Sequence, residues 1–123
     1  MCGGYPKALD SENYLKAKPS AYFKIAEALD ESILDAISIE DAHRPNDLKL
    51  LEIFKNTSII LGFVDVAKSK LEEVNQIRER IQQCLSHIDN HRLIAAPDCG
   101  LGLLNRQLAI DKMKNLCKAA NSL

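Results

Sequence analysis

Residues 92–101, Arg92-Leu93-Ile94-Ala95-Ala96-Pro97-Asp98-Cys99-Gly100-Leu101, carry a short apolar run that ends on a thiol. A helical pattern begins soon after. The run therefore reads as a buried strand with Cys99 at its C-terminal end and Gly100 turning the backbone. A second apolar run, residues 33–39, ends the same way on a carboxylate, Glu40. Parallel α/β folds place their chemistry on the loops that leave the C-terminal ends of strands. One thiol and one carboxylate are thus offered at the same edge of a sheet, and Cys2 adds another thiol at the start of the chain. Zn²⁺ accepts thiolate sulfur, imidazole nitrogen and carboxylate oxygen, and its catalytic sites keep one position open. Cys2, Glu40 and Cys99 form a candidate zinc set on that basis. The spacing alone is a weak signal, because no CxxC pair is present. In the competing reading Cys99 is a small buried hydrophobe and Cys2 an incidental terminal thiol.

The elements that would position these residues follow from periodicity. Residues 3–19 hold Gly3, Gly4, Pro6, Asp10 and Pro19 and read as an exposed loop. Ser20 is a candidate N-cap for a helix bearing Tyr22, Ile25, Ala26 and Leu29. Residues 33–40 form a first predicted strand. Asp47 then caps a short helix with Leu48, Leu51 and Phe54. Residues 57–66 are apolar at nearly every position, as in a parallel strand covered on both faces. Over residues 70–88, Leu71, Val74, Ile77, Ile81, Leu85 and Ile88 make one helical stripe. Residues 93–96 form the third strand. Asn105 caps a last helix with Ala109, Met113, Leu116, Cys117 and Ala120 inward, and Cys84 is likewise a core residue. The order is loop, α, β, α, β, α, β, α, which predicts a parallel sheet with right-handed crossovers. Three strands close no barrel, and a (β/α)₈ barrel takes about 250 residues. The chain reads as the last part of one.

Composition narrows the function classes. The chain has 123 residues, with 16 Lys and Arg against 17 Asp and Glu. That balance leaves no broad electrostatic footprint for nucleic acid. Apolar residues make up 46% of the chain, enough for a core. No apolar run approaches the roughly 20 residues that span a bilayer. No basic region followed by an apolar core opens the sequence, so free thiols in a reducing cytoplasm are expected. Gly3-Gly4 and Gly100-x-Gly102 fit neither a Rossmann nor a P-loop pattern. Asp41, His43 and Arg44 after Glu40, and Asp65 after the second strand, are secondary candidates for substrate contact, with a solvated loop as the simpler reading. Asp98 is expected to shape its turn. His87 and His91 are expected to be structural or solvent-facing, His87 favoured by a helix C-terminus.

Three segments together, Ile37-Ser38-Ile39-Glu40, Leu61-Gly62-Phe63-Val64-Asp65 and Ala96-Pro97-Asp98-Cys99-Gly100-Leu101, resemble the C-terminal catalytic barrel of the cobalamin-independent methionine synthase family. The resemblance runs over essentially the whole chain, and Pro-Asp-Cys-Gly-Leu is its most specific part. It implies a zinc ion held by a His-x-Cys motif, a strand-end Glu and the Cys of Asp-Cys-Gly. Met1-Cys2 matches the last two positions of His-x-Cys, while Glu40 and Cys99 match the other two ligands. The motif's His would fall one residue before Met1, so the expectation is a C-terminal fragment of the catalytic barrel. Lys68-Ser69 departs from the His-Ser pair of the long family members, which points toward compact relatives.

The resemblance implies a zinc-dependent methyltransferase. A methyl group would pass from 5-methyltetrahydrofolate, or its polyglutamate, to the thiol of homocysteine, giving methionine. The fold class expected is α/β, with about three parallel strands and four helices of a (β/α)₈ TIM barrel, residues 1–123 forming one partial domain and residues 1–19 a loop. Homocysteine and a folate-type donor are the expected partners of the complete protein, with no nucleic acid and no membrane. The isolated piece is expected in the cytoplasm, inactive, and prone to self-association through exposed barrel edges. The alternatives are a relative using another thiol or methyl donor, and a non-catalytic half-barrel remnant. No catalytic base is nominated.

Overall fold

A computed structural model of the chain describes residues 1, 4–12 and 15–123. The first helix, α1 (Phe23–Asp30), follows a single 3₁₀ turn, Pro19–Ala21. Then come β1 (Ala36–Ile39), α2 (Lys49–Ile53), β2 (Ser58–Val64), α3 (Val74–Leu85), β3 (Leu93–Pro97) and α4 (Arg106–Ala120). The three strands pair in sequence order, and both pairings are parallel. The predicted alternation is therefore the observed one: an α/β unit of three parallel strands and four helices, part of a (β/α)₈ barrel.

Register explains which face is covered. Ile37 lies beside Ile59, which lies beside Leu93; Ile39, Leu61 and Ala95 form the next row. Ile37, Ile39, Ile59 and Leu61 are buried, under the side to which α3 and α4 pack. Successive strand residues point to opposite faces, and on the other face Ala36, Ser38 and Ile94 are exposed. The helices thus cover one face of the sheet. The expectation that β2 is covered on both faces holds for its C-terminal half, where Leu61, Gly62, Phe63 and Val64 are all buried, and is corrected at Ser58 and Ile60, which are only half-buried. A barrel fills its lumen with side chains from all its strands, and three strands leave that face open.

The ends of elements also differ from the periodicity. β1 starts at Ala36, and Ile33, expected in the strand, is 99% exposed. Leu71 lies ahead of α3 and is half-exposed. Ser20 is no N-cap, because it sits within the 3₁₀ turn and α1 starts without a side-chain cap. Asn105 does cap α4, accepting from Leu108 N at 2.9 Å. Asp47 Oδ1 accepts from Lys49 N at 3.0 Å where α2 begins. Cys84 is fully buried, as expected, but Cys117 is exposed. Leu116 and Ala119 take the inward positions of that turn, which rotates Cys117 out of the stripe.

The N-terminal ends of the strands are held by a carboxylate. Asp30, at the end of α1, accepts from the backbone N–H groups of Lys55, Asn56 and Thr57 at 2.9, 3.0 and 2.9 Å. Burial by itself would raise its pKa, but these donors outweigh that and bring it down to about 2.

Candidate functional site

The C-terminal strand ends are tied together by Asp98. Its Oδ1 accepts from Asp41 N at 2.8 Å and from Ala42 N at 2.9 Å, and its Oδ2 accepts from His43 N at 2.8 Å. Asp98 N itself donates to Val64 O at 3.0 Å. One carboxylate after β3 thereby clamps the loop that follows β1. Glu40 is next to Asp41 in the chain and Cys99 is next to Asp98, so the clamp brings the carboxylate-bearing and thiol-bearing loops to one edge. Burial pushes the Asp98 carboxyl above its ordinary value of 3.8, against the pull of the three backbone donors and the Tyr5 hydroxyl.

Gly62 makes room for the clamp. A Cβ there would lie 1.9 Å from Asp98 Oδ1 and 2.7 Å from Asp98 Cα. The glycine of the Gly-Phe-Val-Asp stretch is thus needed for close approach.

Glu40 is 3% exposed. The Tyr22 hydroxyl donates to its Oε1 at 3.2 Å, and Lys16 Nζ lies 3.2 Å from its Oε2. Met1 runs alongside β1: Met1 N donates to Ser38 O, and Glu40 N donates to Met1 O at 3.3 Å. That alternation is the pattern of a parallel neighbour of Ile39. Cys2, the next residue, lies outside the described residues. Cys99 is exposed. Among the described residues no three of His, Cys, Asp and Glu converge as a metal group.

The secondary candidates resolve into supports. Asp41 is 1% exposed and takes both Nε and Nη2 of Arg80, at 2.8 and 3.0 Å, while its Oδ1 also accepts from Asn46 N at 2.7 Å. The Asp41 hydrogen bonds raise the Arg80 pKa further. His43 Nδ1 lies 2.7 Å from Asp65 Oδ2, and Asp65 Oδ1 accepts from Ala67 N at 2.7 Å. Arg44 Nη1 donates to Ala17 O at 2.6 Å. His87 pairs with Glu52 at 2.6 Å, and His91 is exposed. A cavity of about 170 Å³ between Asp41, Gly62, Asp65 and Arg80 is smaller than a ligand pocket of about 300 Å³.

The family model described as "Cobalamin-independent synthase, Catalytic domain" matches residues 19–122.

The chain belongs to that family.

Relatives of the cobalamin-independent synthase family include a methionine synthase of Pyrococcus horikoshii, 32% identical over 101 residues, which are 81% of this chain and 30% of that protein. The methionine synthase of Thermococcus kodakarensis is 31% identical over 100 residues, 80% of this chain and 30% of that protein. A 2-hydroxypropyl-CoM lyase of Xanthobacter autotrophicus is 33% identical over 93 residues, 70% of this chain and 25% of that protein. The chain therefore spans about 30% of the length of the methionine synthases it matches. Its fold is also that of a B12-independent methionine synthase from Shewanella sp. W3-18-1, solved with selenomethionine: TM-score 0.79 and 22% identity, over 99% of this chain and 36% of that one.

For this cobalamin-independent synthase domain, sequence reasoning singled out Glu40, Cys99 and Asp98 but missed Lys16 and Lys112. Lys112 is fully buried and donates to Asp65 O, Lys70 O and Glu72, at 2.9, 2.6 and 2.9 Å. Glu72 Oε1 in turn accepts from Asp65 N at 3.0 Å. Lys112 thus pins the loop after β2 that carries Asp65. The signal was present: Lys112 shares the inward stripe of α4 with Leu116 and Ala119, and a Lys in such a stripe needs partners.

Proposed function

We propose that this chain is part of a zinc-dependent methyltransferase of the cobalamin-independent methionine synthase type, acting in the cytoplasm. A methyl group passes from 5-methyltetrahydrofolate, or its polyglutamate, to the thiol of homocysteine. The acceptor's S–CH₃ bond forms as the donor's bond to the methyl breaks. Zinc, when bound, stabilises the acceptor as a thiolate near neutral pH. Glu40, Cys99 and Cys2 are the residues we propose to hold it, and oxygen with thiolate donors suits zinc. The Glu40 carboxylate already accommodates a positive charge, the Lys16 ammonium at 3.2 Å.

The observation that carries this reading is the Asp98 clamp between the loops of Glu40 and Cys99, in a chain whose family model covers residues 19–122. Asp98 sets the spacing of the two loops. Arg80 occupies Asp41, while Glu40 stands against the Lys16 ammonium. Lys112 and Glu72 keep the Asp65 loop in place beside them.

The match covers only 30% of the length of the methionine synthase relatives, and we propose that the 123 residues alone hold zinc weakly, turn over no substrate and associate through the free sheet edges. A second reading, a relative using another thiol, is favoured by the equally similar 2-hydroxypropyl-CoM lyase. The test is a zinc titration of the chain against a competing chelator, with methyl-transfer assays offering homocysteine and CoM. Zinc binding lost in Cys99→Ser but kept in Cys84→Ser supports the ligand assignment. Equal binding by both variants would overturn it, and methylation of CoM rather than homocysteine would select the second reading.

A further inference from the structure

The outermost helices, α1 and α4, each keep one flank uncovered. On α4 that flank is an open apolar groove of about 710 Å³, lined by Ile110, Met113 and Cys117. Arg106, Lys114 and Lys118 also line it and make it basic. On α1 the flank is a stripe, Ala21, Ile25, Ala28 and Ser32, at helical spacing, and all of it is exposed. α3, which has a helix on either side, shows what such flanks meet. His87, three positions past the buried Cys84, pairs with Glu52 of the preceding helix. Leu85, one position past Cys84, shares a cavity with Ala120 of the following helix. By the same offset Ile25, three past the buried Tyr22, faces the place of a preceding helix. Met113 and Cys117, one past the buried Lys112 and Leu116, face the place of a following one.

The sheet ends in the same way. Among the described residues β3 pairs only with β2, which leaves a row of its backbone groups open. At the other edge Met1 is bonded as a parallel neighbour of β1 and marks a fourth strand position. Four positions are half of the eight in a barrel. Charge favours joining the two ends. Glu27, Glu31 and Asp35 are exposed on and just after α1, against the single cation Lys24, whereas the α4 groove is basic. Shape does too, since Ile25 between Ala21 and Ala28 makes a knob with small neighbours. We propose that a second copy of this chain fills the groove. α1 of each copy packs into the α4 groove of the other, the Met1 edge of each pairs with the β3 edge of the other, and an eight-stranded barrel closes around a two-fold axis. The two α1–α4 contacts are equivalent, so no groove stays open and assembly stops at two. Ile94, exposed on the open face of the sheet, turns into a filled lumen. The proposal rests on the edge association put forward above and gives it a definite geometry; it is independent of the zinc ligands.

The test measures the mass of the 123-residue chain by sedimentation equilibrium over a concentration series. A monomer–dimer equilibrium with no larger species is expected. Ile25 and Ile110 are half-exposed, so Ile25→Arg and Ile110→Arg leave the core alone. Each should weaken the homodimer at least about 30-fold, the size of losing a central contact at both interfaces. Mixed in equal amounts, the two variants should form a heterodimer, because one of its two α1–α4 contacts is free of both arginines. In the unmodified chain, alkylation of Cys117 should slow in proportion to the fraction dimerised as concentration rises, while Cys99 keeps its rate. Either variant dimerising as the parent does, or no rescue on mixing, overturns the α1–α4 pairing and leaves association by another surface. An unbounded series of larger species overturns the closed barrel. A parent that stays monomeric, with Cys117 equally reactive at every concentration, overturns both the barrel and the edge association, and leaves the groove to a different polypeptide.

Discussion

Replacing Asp98 tests how the two loops of the site are held. Asp98→Ala removes the acceptor of three backbone N–H groups. A buried donor left unpaired costs about 1–3 kcal/mol. Asp41 is 1% exposed, so its N–H bears the full cost, while Ala42 and His43 are partly exposed and recover some bonding to water. The sum is about 3–5 kcal/mol. With a slope of about 2 kcal/mol per molar urea, the unfolding midpoint should fall by roughly 2 M. Asp98→Asn keeps an oxygen for Asp41 and Ala42 and turns its amide toward His43, losing one acceptor; its cost should be about 1–2 kcal/mol. Gly62→Ala should resemble the alanine variant, at about 3 kcal/mol, because its Cβ would meet Asp98 backbone at 2.7 Å, which cannot swing aside. The assay is urea unfolding followed by circular dichroism at neutral pH, with hydrogen exchange at the amides of residues 41–43. A midpoint shift under about 0.5 M for Asp98→Ala, with those amides still protected, would refute the clamp. So would an asparagine variant as costly as the alanine one, since a shared acceptor could not then be the cause.

Asp30 sets an acid limb: its carboxyl lies at about 2 when folded and near 3.8 when unfolded. Its stabilisation is complete above 3.8 and lost as pH falls through 2, so the stability gap between the parent and Asp30→Asn should narrow over that interval in acid titrations of the unfolding midpoint. Lys112→Met leaves two carbonyls and the partly exposed Glu72 without the ammonium and should destabilise by about 1–3 kcal/mol, read from the urea midpoint; a shift within about 0.5 kcal/mol would show that water replaces the ammonium. Burial pushes the Cys84 thiol up to about 12, so Cys84 should resist alkylation at pH 8 in the native chain while the exposed Cys99 and Cys117 react within minutes. Peptide mass mapping separates them, and Cys84 modified at the rate of Cys99 would contradict the core seen around it.

The sequence by itself determined the element order, the parallel sheet and the strand-end positions of Glu40 and Cys99. Those features are local: apolar runs of strand length, a helical stripe between them, and a turn signal at Pro-Asp-Cys-Gly. The Asn105 cap was legible for the same reason, since its partner is three residues away. Element ends were less legible. Ile33 and Leu71 continue their apolar patterns, yet they lie beyond the area that the sheet and helices bury, and burial is set by the neighbours they lack. Cys117 left its stripe because α4 meets β2, β3 and α3 along a line chosen by all three. What only the tertiary structure decided is who pairs with whom across long separations. Asp98 was read as the shaper of its own turn, and it proved to hold a loop 55–57 residues away. Lys16 was one charge in a polar loop until the fold set it against Glu40. Such pairings carry no periodic trace, because a buried charge needs an opposite charge or a hydrogen-bond partner in space and leaves the chain between them free to vary.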